Sequence, residues 1–387
     1  MAALASVACG EPTVGGAGST GSAVAPSAPP AVAASAPLVA RSALRCEECH
    51  EPYVRAWRGS THARANEGAV YAAMRGRAGA ACDRCHAPLL GLVGAADPIH
   101  AEGVTCDVCH SIRAVEGAGG PVVHDLRSER KYGPLCDAED HYFHRMGCSP
   151  LHAEGRLCGA CHQLEWPTPE GPLPVLSEFA EWAAAVDPVT GPSCQECHMT
   201  GAAGEVARGW PARARVADHA FLGEGEVIRG SGLELDVRAL AVEAGGLSIE
   251  AEVVNANAGH ALPAGVPGRA IVLVMRALDD EGGALAVEER AYARRAVDAE
   301  GREVPFYEAR RIGEDTRLQA GERRTERWTA PGEARAIEAE LWLRPLPSAI
   351  AASLGVEPPA PRLLLSRRVA ASPAPGRYSP RGRRPPP

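Results

Sequence analysis

From about Val227 the chain alternates apolar and polar positions with period two. Leu233, Leu235, Val237 and Ala239 alternate with Glu234, Asp236 and Arg238. Leu247, Ile249, Ala251 and Val253 alternate with Ser248, Glu250 and Glu252, and Ile337, Ala339, Leu341 and Leu343 with Glu338, Glu340 and Trp342. Successive side chains of a strand point to opposite faces, so this pattern predicts half-buried antiparallel strands. Apolar runs at Ala270–Leu278 and Leu363–Leu365 add further strands, and Asp279 to Gly283 reads as a turn. About seven short strands predict an immunoglobulin-like β-sandwich over 226–371.

The pattern before it is different. Helical pieces are expected at Glu51–Arg64 and Leu176–Val186, with loops elsewhere over 42–225 and little or no sheet. Residues 10–41 are almost entirely Gly, Ala, Ser, Pro and Val, with Glu11 the one charge before Arg41, and predict a disordered linker. The Pro- and Arg-rich tail 372–387 is expected to be disordered as well. No run of eighteen apolar residues is present, so no transmembrane helix is predicted.

Composition sharpens this. The chain has 387 residues, room for two domains, and a formal net charge of −8, which argues against nucleic acid as a partner. Ten of its 13 cysteines fall in five copies of C-x-x-C-H: Cys46, Cys49, His50; Cys82, Cys85, His86; Cys106, Cys109, His110; Cys158, Cys161, His162; Cys194, Cys197, His198. Two thiols at this spacing can each add to a vinyl group on one edge of a porphyrin, and the next residue sets an imidazole under the iron. Zinc ribbons also use C-x-x-C pairs, but have no use for a histidine directly after every pair. Five covalent c-type haems are therefore expected, with His50, His86, His110, His162 and His198 as proximal ligands. At roughly 30 residues per haem, porphyrin replaces much of an ordinary apolar core.

Eight other histidines are available as sixth ligands: His62, His100, His124, His141, His144, His152, His219 and His260. The internal methionines are Met74, Met146, Met199 and Met275, and Met199 directly follows His198. Bis-histidine coordination is the expectation for most sites. Cys136 and Cys148 flank an acidic loop and are a candidate disulfide, against two buried free thiols or thiolate ligation. Trp57, Trp166 and Trp182 read as packing residues.

Covalent haem attachment points outside the cytoplasm, to the periplasm or cell surface. Residues 1–9 read as a truncated signal or lipoprotein segment, with small residues before Cys9, a candidate for lipidation and membrane anchoring.

The surroundings of the motifs resemble multihaem cytochromes c of the cytochrome c five-fifty-four type, associated with hydroxylamine oxidoreductase. Trp57, Ser60 and His62 follow the first motif as W-x-x-S-x-H, and His100, Gly103, Val104 and Cys106 form H-x-x-G-V-x-C. Lys131-Tyr132-Gly133-Pro134, with His141 and His152 ahead of the fourth motif, is similar to a stretch of larger relatives. So are Glu181-Trp182 before Cys194 to Met199, and Asp218-His219-Ala220-Phe221. In the sandwich, Asn255, Gly259, His260, Pro263 and Gly265 resemble the N-x-x-x-G-H-x-x-P-T-G loop of domains fused to such cytochromes, with Ala264 in place of Thr. The resemblance implies distal ligation by a histidine at the His62 position. The expected distal set is His62, His100, His152, His219 and His260, with His141 as rival to His152, while His124 and His144 are expected to be ordinary. His260 then clamps the sandwich to the haem domain, against a turn in which it only hydrogen-bonds.

Three functions compete at this point. The first is an electron carrier, with no catalytic residues, served by other cytochromes or a quinol-linked donor. The second is an oxidoreductase acting on a nitrogen or sulfur oxyanion at one open haem, and the third is a subunit of an extracellular cytochrome polymer.

Overall fold

A computed structural model describes residues 38–94, 96–117, 119–222, 232–242 and 246–371. Cys9 with segment 1–9, the linker through residue 37 and the tail 372–387 lie outside these. Residues 38–41, expected to end the linker, are packed instead. Val39 N–H donates to Leu126 O at 2.9 Å, and Leu38 and Ala40 lie against Leu89, Ile99, Val108 and Leu126.

The haem region carries short helices: α1 (Ala43–Gly59), α2 (Ala69–Ala78), α3 (Asp83–His86), α4 (Cys106–His110), α5 (Gly155–Gly159), α6 (Glu178–Ala185) and α7 (Cys194–His198). Positions i, i+3 and i+4 of a helix share one face, so a helical C-x-x-C-H turns both thiols and the imidazole the same way. Ser42 caps α1 by accepting from Leu44 N–H, and the helix kinks at His50 (φ −115°, ψ 34°), two residues before Pro52. Proline lacks the amide that would bond back one turn, and it disfavours helical geometry at the residue before it. Helix α7 starts on a capping box between Ser193 and Glu196.

The expectation of little or no sheet in this region was wrong. Among the described residues it contains four two-stranded ladders: β1 (Ile112–Val115) with β2 (Val122–His124), β3 (Arg130–Gly133) with β4 (Arg145–Cys148), β5 (Leu164–Thr168) with β6 (Gly171–Leu176), and β7 (Gly201–Gly204) with β8 (Arg213–Ala217). Each is only three to six residues per strand, too short to show a period in sequence. Next to β4, Cys136 and Cys148 form a disulfide with Cα atoms 4.5 Å apart. The loop it closes carries His141 and His144.

The C-terminal region is an antiparallel sandwich with eight strands among the described residues, where about seven were expected: β9 (Leu233–Ala241), β10 (Gly246–Asn255), β11 (Ala270–Leu278), β12 (Ala284–Val297), β13 (Arg311–Asp315), β14 (Arg323–Pro331), β15 (Ala336–Arg344) and β16 (Arg362–Ala370). They form sheets ordered β14-β10-β9 and β13-β12-β11-β15-β16. The period-two residues face inward into one shared core, with Ile249, Ala251, Val253, Ile337, Ala339 and Leu341 fully buried. A helix, α8 (Ser348–Leu354), covers one end and packs against Val70, Ala73 and Met74 of α2.

A second cluster joins the two regions. Leu173 and Val175 of β6 pack against Ala296, Phe306 and Ala309 of the sandwich. At about 25 cal/mol per Å² of apolar area, burying two such side chains contributes roughly 3–6 kcal/mol to holding them together.

Candidate functional site

The five motifs lie together because their flanking segments are tied to one another. Glu102 accepts from Ala43 N–H (2.9 Å), Ser42 Oγ and Thr105 Oγ1, so one carboxylate holds the starts of the first and third motif helices. Trp57 Nε1 donates to Val104 O at 2.8 Å. Gly103, at φ +58°, sits where a Cβ would come within 2.7 Å of His62 O, so the close approach of these segments requires glycine. Buried Asp107, inside the third motif, is paired with Lys131 Nζ at 2.7 Å.

The thiols follow the same contacts. Cys46 neighbours Cys106, Cys85 neighbours Cys161, and Cys158 neighbours Cys194, while Cys109 lies close enough to act electrostatically on both Cys158 and Cys161. The first motif therefore adjoins the third, the second adjoins the fourth, and the fourth adjoins both the third and the fifth. Cys197 is the one motif thiol that is exposed among the described residues.

Four motif imidazoles donate from Nδ1 to a backbone carbonyl: His50 to Val206 O, His110 to Tyr132 O and His198 to Leu222 O, each at 2.7 Å, and His86 to Ala65 O. That bond fixes the tautomer and leaves the Nε2 lone pair for a metal.

Four motif histidines also face a second imidazole. Ring centroids are 6.3 Å apart for His50 and His144, 6.1 Å for His110 and His219, 6.3 Å for His62 and His162, and 6.3 Å for His198 and His260. The rings are near-parallel in three pairs (26°, 20° and 13°) and crossed at 86° for His62 and His162. Iron–imidazole bonds of about 2 Å on each side, plus the half-width of each ring, set two axial imidazoles roughly 6 Å apart. Buried Nδ1 atoms of His62 and His144 have no hydrogen-bond partner. This donor set fits haem.

Burial favours the neutral form of five of these rings, as ligation needs. His62, His110 and His219 are each pushed down to about 4 by burial, with neighbouring histidines adding to the shift. His144 and His198 are lowered for the same first reason.

The remaining histidines stand elsewhere. His152 lies 5.9 Å from His110, but both its nitrogens are engaged, Nδ1 with Ser149 Oγ and Nε2 with Cys109 O, each at 3.0 Å. His100 bonds Gly94 O through Nε2 at 2.9 Å, His141 stacks on Tyr142 and Phe143, and His124 bonds Ser111 Oγ at 2.7 Å. The structure thus brings His62, His152, His219 and His260 beside motif histidines, His152 with both nitrogens engaged, but not His100 or His141. It also brings His144, expected to be ordinary, beside His50. Among the described residues no histidine ring faces His86. Its ring neighbour is Tyr71, with centroids 4.8 Å apart, whose hydroxyl donates to Asp83 at 3.2 Å.

His260 is reached through the sandwich loop. Asn255, fully buried, donates from Nδ2 to His260 O (2.9 Å) and Leu318 O (3.1 Å) and accepts from Ala258 N–H. A Cβ on Gly259 would come within 2.9 Å of Trp182 Cδ1, so only glycine lets the loop lie on α6.

Comparison with known proteins agrees with this picture. Residues 45–111 match the family described as cytochrome c554 and c-prime. A penta-heme cytochrome c552 from Thermochromatium tepidum superposes with a TM-score of 0.70 at 22% identity, over 86% of this chain and 100% of that one. A protein of Bordetella pertussis solved as ApaA aligns over 36% of this chain and 94% of its own, at 13% identity and a TM-score of 0.20. No curated protein sequence matches the chain. With five C-x-x-C-H motifs, a family match spanning the first three of them and a shared fold, the chain has the motifs and the fold of a multihaem cytochrome c, with a fused C-terminal β-sandwich.

Proposed function

We propose that the chain is a pentahaem electron conduit working outside the cytoplasm. Covalent attachment is assigned to Cys46 and Cys49, Cys82 and Cys85, Cys106 and Cys109, Cys158 and Cys161, and Cys194 and Cys197. Axial pairs are assigned as His50 with His144, His110 with His219, His162 with His62, and His198 with His260. Of the expected distal set this keeps His62, His219 and His260, leaves out His100 and His152, and adds His144. The observation carrying this reading is the set of four imidazole pairs at about 6 Å, on motifs whose thiols adjoin one another.

Haem supplies the one-electron chemistry, an iron passing between ferric and ferrous. The residues supply the rest. At four motifs the paired imidazoles would hold an iron from both sides, carbonyls behind Nδ1 orient the rings of His50, His86, His110 and His198, and burial would limit solvent reorganisation. Contacts between motifs order the path first–third–fourth–fifth, with the second joined to the fourth. Exposed Cys197 suits the fifth site to exchange with a partner, another cytochrome or a quinol-linked donor. Location in the periplasm or at the cell surface follows from covalent haem attachment, and a lipid on Cys9 is tested by the mass of the mature N-terminal peptide.

Pyridine haemochrome analysis is expected to give five haems per chain, and low-temperature paramagnetic resonance four low-spin ferric centres. A chain with no covalent haem would sink the proposal. Four or more high-spin centres would remove the paired-imidazole assignment.

A second reading is favoured by His86, which no histidine faces among the described residues. There the protein would act as an oxidoreductase on a nitrogen or sulfur oxyanion at one five-coordinate haem. One high-spin ferric signal, lost when nitrite or sulfite is added, and oxidation of the reduced protein by the same anion support it. A wholly low-spin protein excludes it.

A further inference from the structure

We propose that Glu181 is the positioning residue of the fifth haem site, holding His260 in place through the peptide bond that follows it. The inference rests on the assignment of His260 as partner of His198. Helix α6 belongs to the haem region, yet its carboxylates point into the sandwich loop. Glu181 Oε2 accepts from Ala261 N–H at 3.0 Å, and Glu178 Oε1 accepts from Gly265 N–H. The other face of the same linkage is held by Asn255, whose Nδ2 donates to His260 O at 2.9 Å.

The 260–261 peptide is therefore gripped at both ends, its carbonyl by the sandwich and its amide by the haem region. A fixed peptide plane fixes the Cα–Cβ direction of His260, and the ring's own Nδ1 bond to Ala261 O at 3.1 Å limits its rotation. The result is a ring 6.3 Å from His198 and within 13° of parallel.

Glu181 is itself held by charge. Arg317, 4% exposed, donates from Nη2 to Glu181 Oε1 at 2.6 Å and to Asp315 Oδ2 at 2.9 Å. Removing Glu181 leaves this buried guanidinium its Asp315 partner, so the variant does not orphan a cation. A residue needed only to glue two domains would pair with Arg317 alone. Glu181 Oε2, which Arg317 Nη1 reaches only at 3.5 Å, accepts from the amide beside the histidine at 3.0 Å.

The test compares Glu181→Ala, Glu181→Gln and His260→Ala in the full-length haem-loaded protein, by low-temperature paramagnetic resonance and redox titration. Glu181→Ala is expected to keep its covalent haem count, lose low-spin signal equal to one haem per chain, and raise the potential of that haem. Glu181→Gln, whose amide oxygen can still accept from Ala261 N–H, is expected to recover most of that signal. His260→Ala is expected to lose the same single centre, and the double variant no more than either single one.

Should Glu181→Ala keep every low-spin centre while His260→Ala loses one, the positioning role is overturned and the ligand assignment stands. Should His260→Ala also keep them all, the assignment of His260 falls, and the inference with it. If Glu181→Ala does not fold, Glu181→Ala with Arg317→Met removes both charges and is read in the same way.

Discussion

At the scale of single residues, the C-x-x-C-H motifs were readable from spacing, and the imidazoles that come to face their histidines only partly so. Spacing fixes Cys-x-x-Cys-His because the chemistry is local: three residues must share one helical face. A sixth ligand can come from anywhere that the chain returns to. His62, His219 and His260 stood in recognisable phrases, but His144 stands in a loop whose placement depends on the Cys136–Cys148 closure and the β3–β4 ladder. Replacing His144 by alanine is expected to convert one low-spin haem to high-spin, whereas replacing His152, whose nitrogens are both engaged, is expected to leave the low-spin count unchanged. Paramagnetic resonance of the two variants separates these outcomes.

Burial alone would raise the Glu340 pKa, but hydrogen bonds from Arg276 and from Trp342 Nε1 (2.9 Å) outweigh it, and the net shift is downward from the usual 4.5. Because its folded-state pKa is depressed, Glu340 contributes stability that is fully present above about 4.5 and is lost as pH falls through the folded value. Glu340→Gln is expected to lower stability at pH 7 and to flatten the acid limb of the pH–stability curve below 4.5, measured by chemical denaturation.

At the scale of elements, the sandwich was legible because its strands are long and one-sided. Nine or ten residues of strict alternation leave no other way to bury one face. Ile249 is fully buried opposite Ala239 and Trp328 in the β9-β10-β14 sheet. Ile249→Ala is expected to destabilise the sandwich by about 2–5 kcal/mol, the usual range for a large-to-small core change, seen as a lower denaturation midpoint at unchanged haem content. The ladders of the haem region were missed for the opposite reason. Strands of three to six residues pair because the chain is held back on itself around the motifs, and pairs such as Leu164–Thr168 with Gly171–Leu176 carry proline within them.

At the scale of the whole molecule, the two regions are joined by buried polar groups as well as by the Leu173–Val175 cluster. Arg294, 3% exposed, reaches from β12 to Ser177 Oγ at 2.8 Å and Val175 O at 2.9 Å. Its burial lowers its pKa, the mark of a guanidinium held where water would otherwise solvate it. The wild-type protein is therefore expected to unfold in one transition. Arg294→Ala, which strips the acceptors at Ser177 and Val175 of their donor, is expected to split calorimetry into two transitions without changing haem content. A single unshifted transition would show that the apolar cluster alone couples the regions.

The sequence by itself determined what is local or periodic: the haem-attachment motifs, whose spacing is a covalent requirement, and the sandwich, whose faces are set by alternation. Tertiary structure alone decided which imidazoles face each other, that His152 is spent on hydrogen bonds while His144 is not, and that Glu181 grips the loop of His260. Those are contacts between residues up to about a hundred positions apart, and their formation depends on where packing brings the chain back. Spacing along the backbone carries no record of that return.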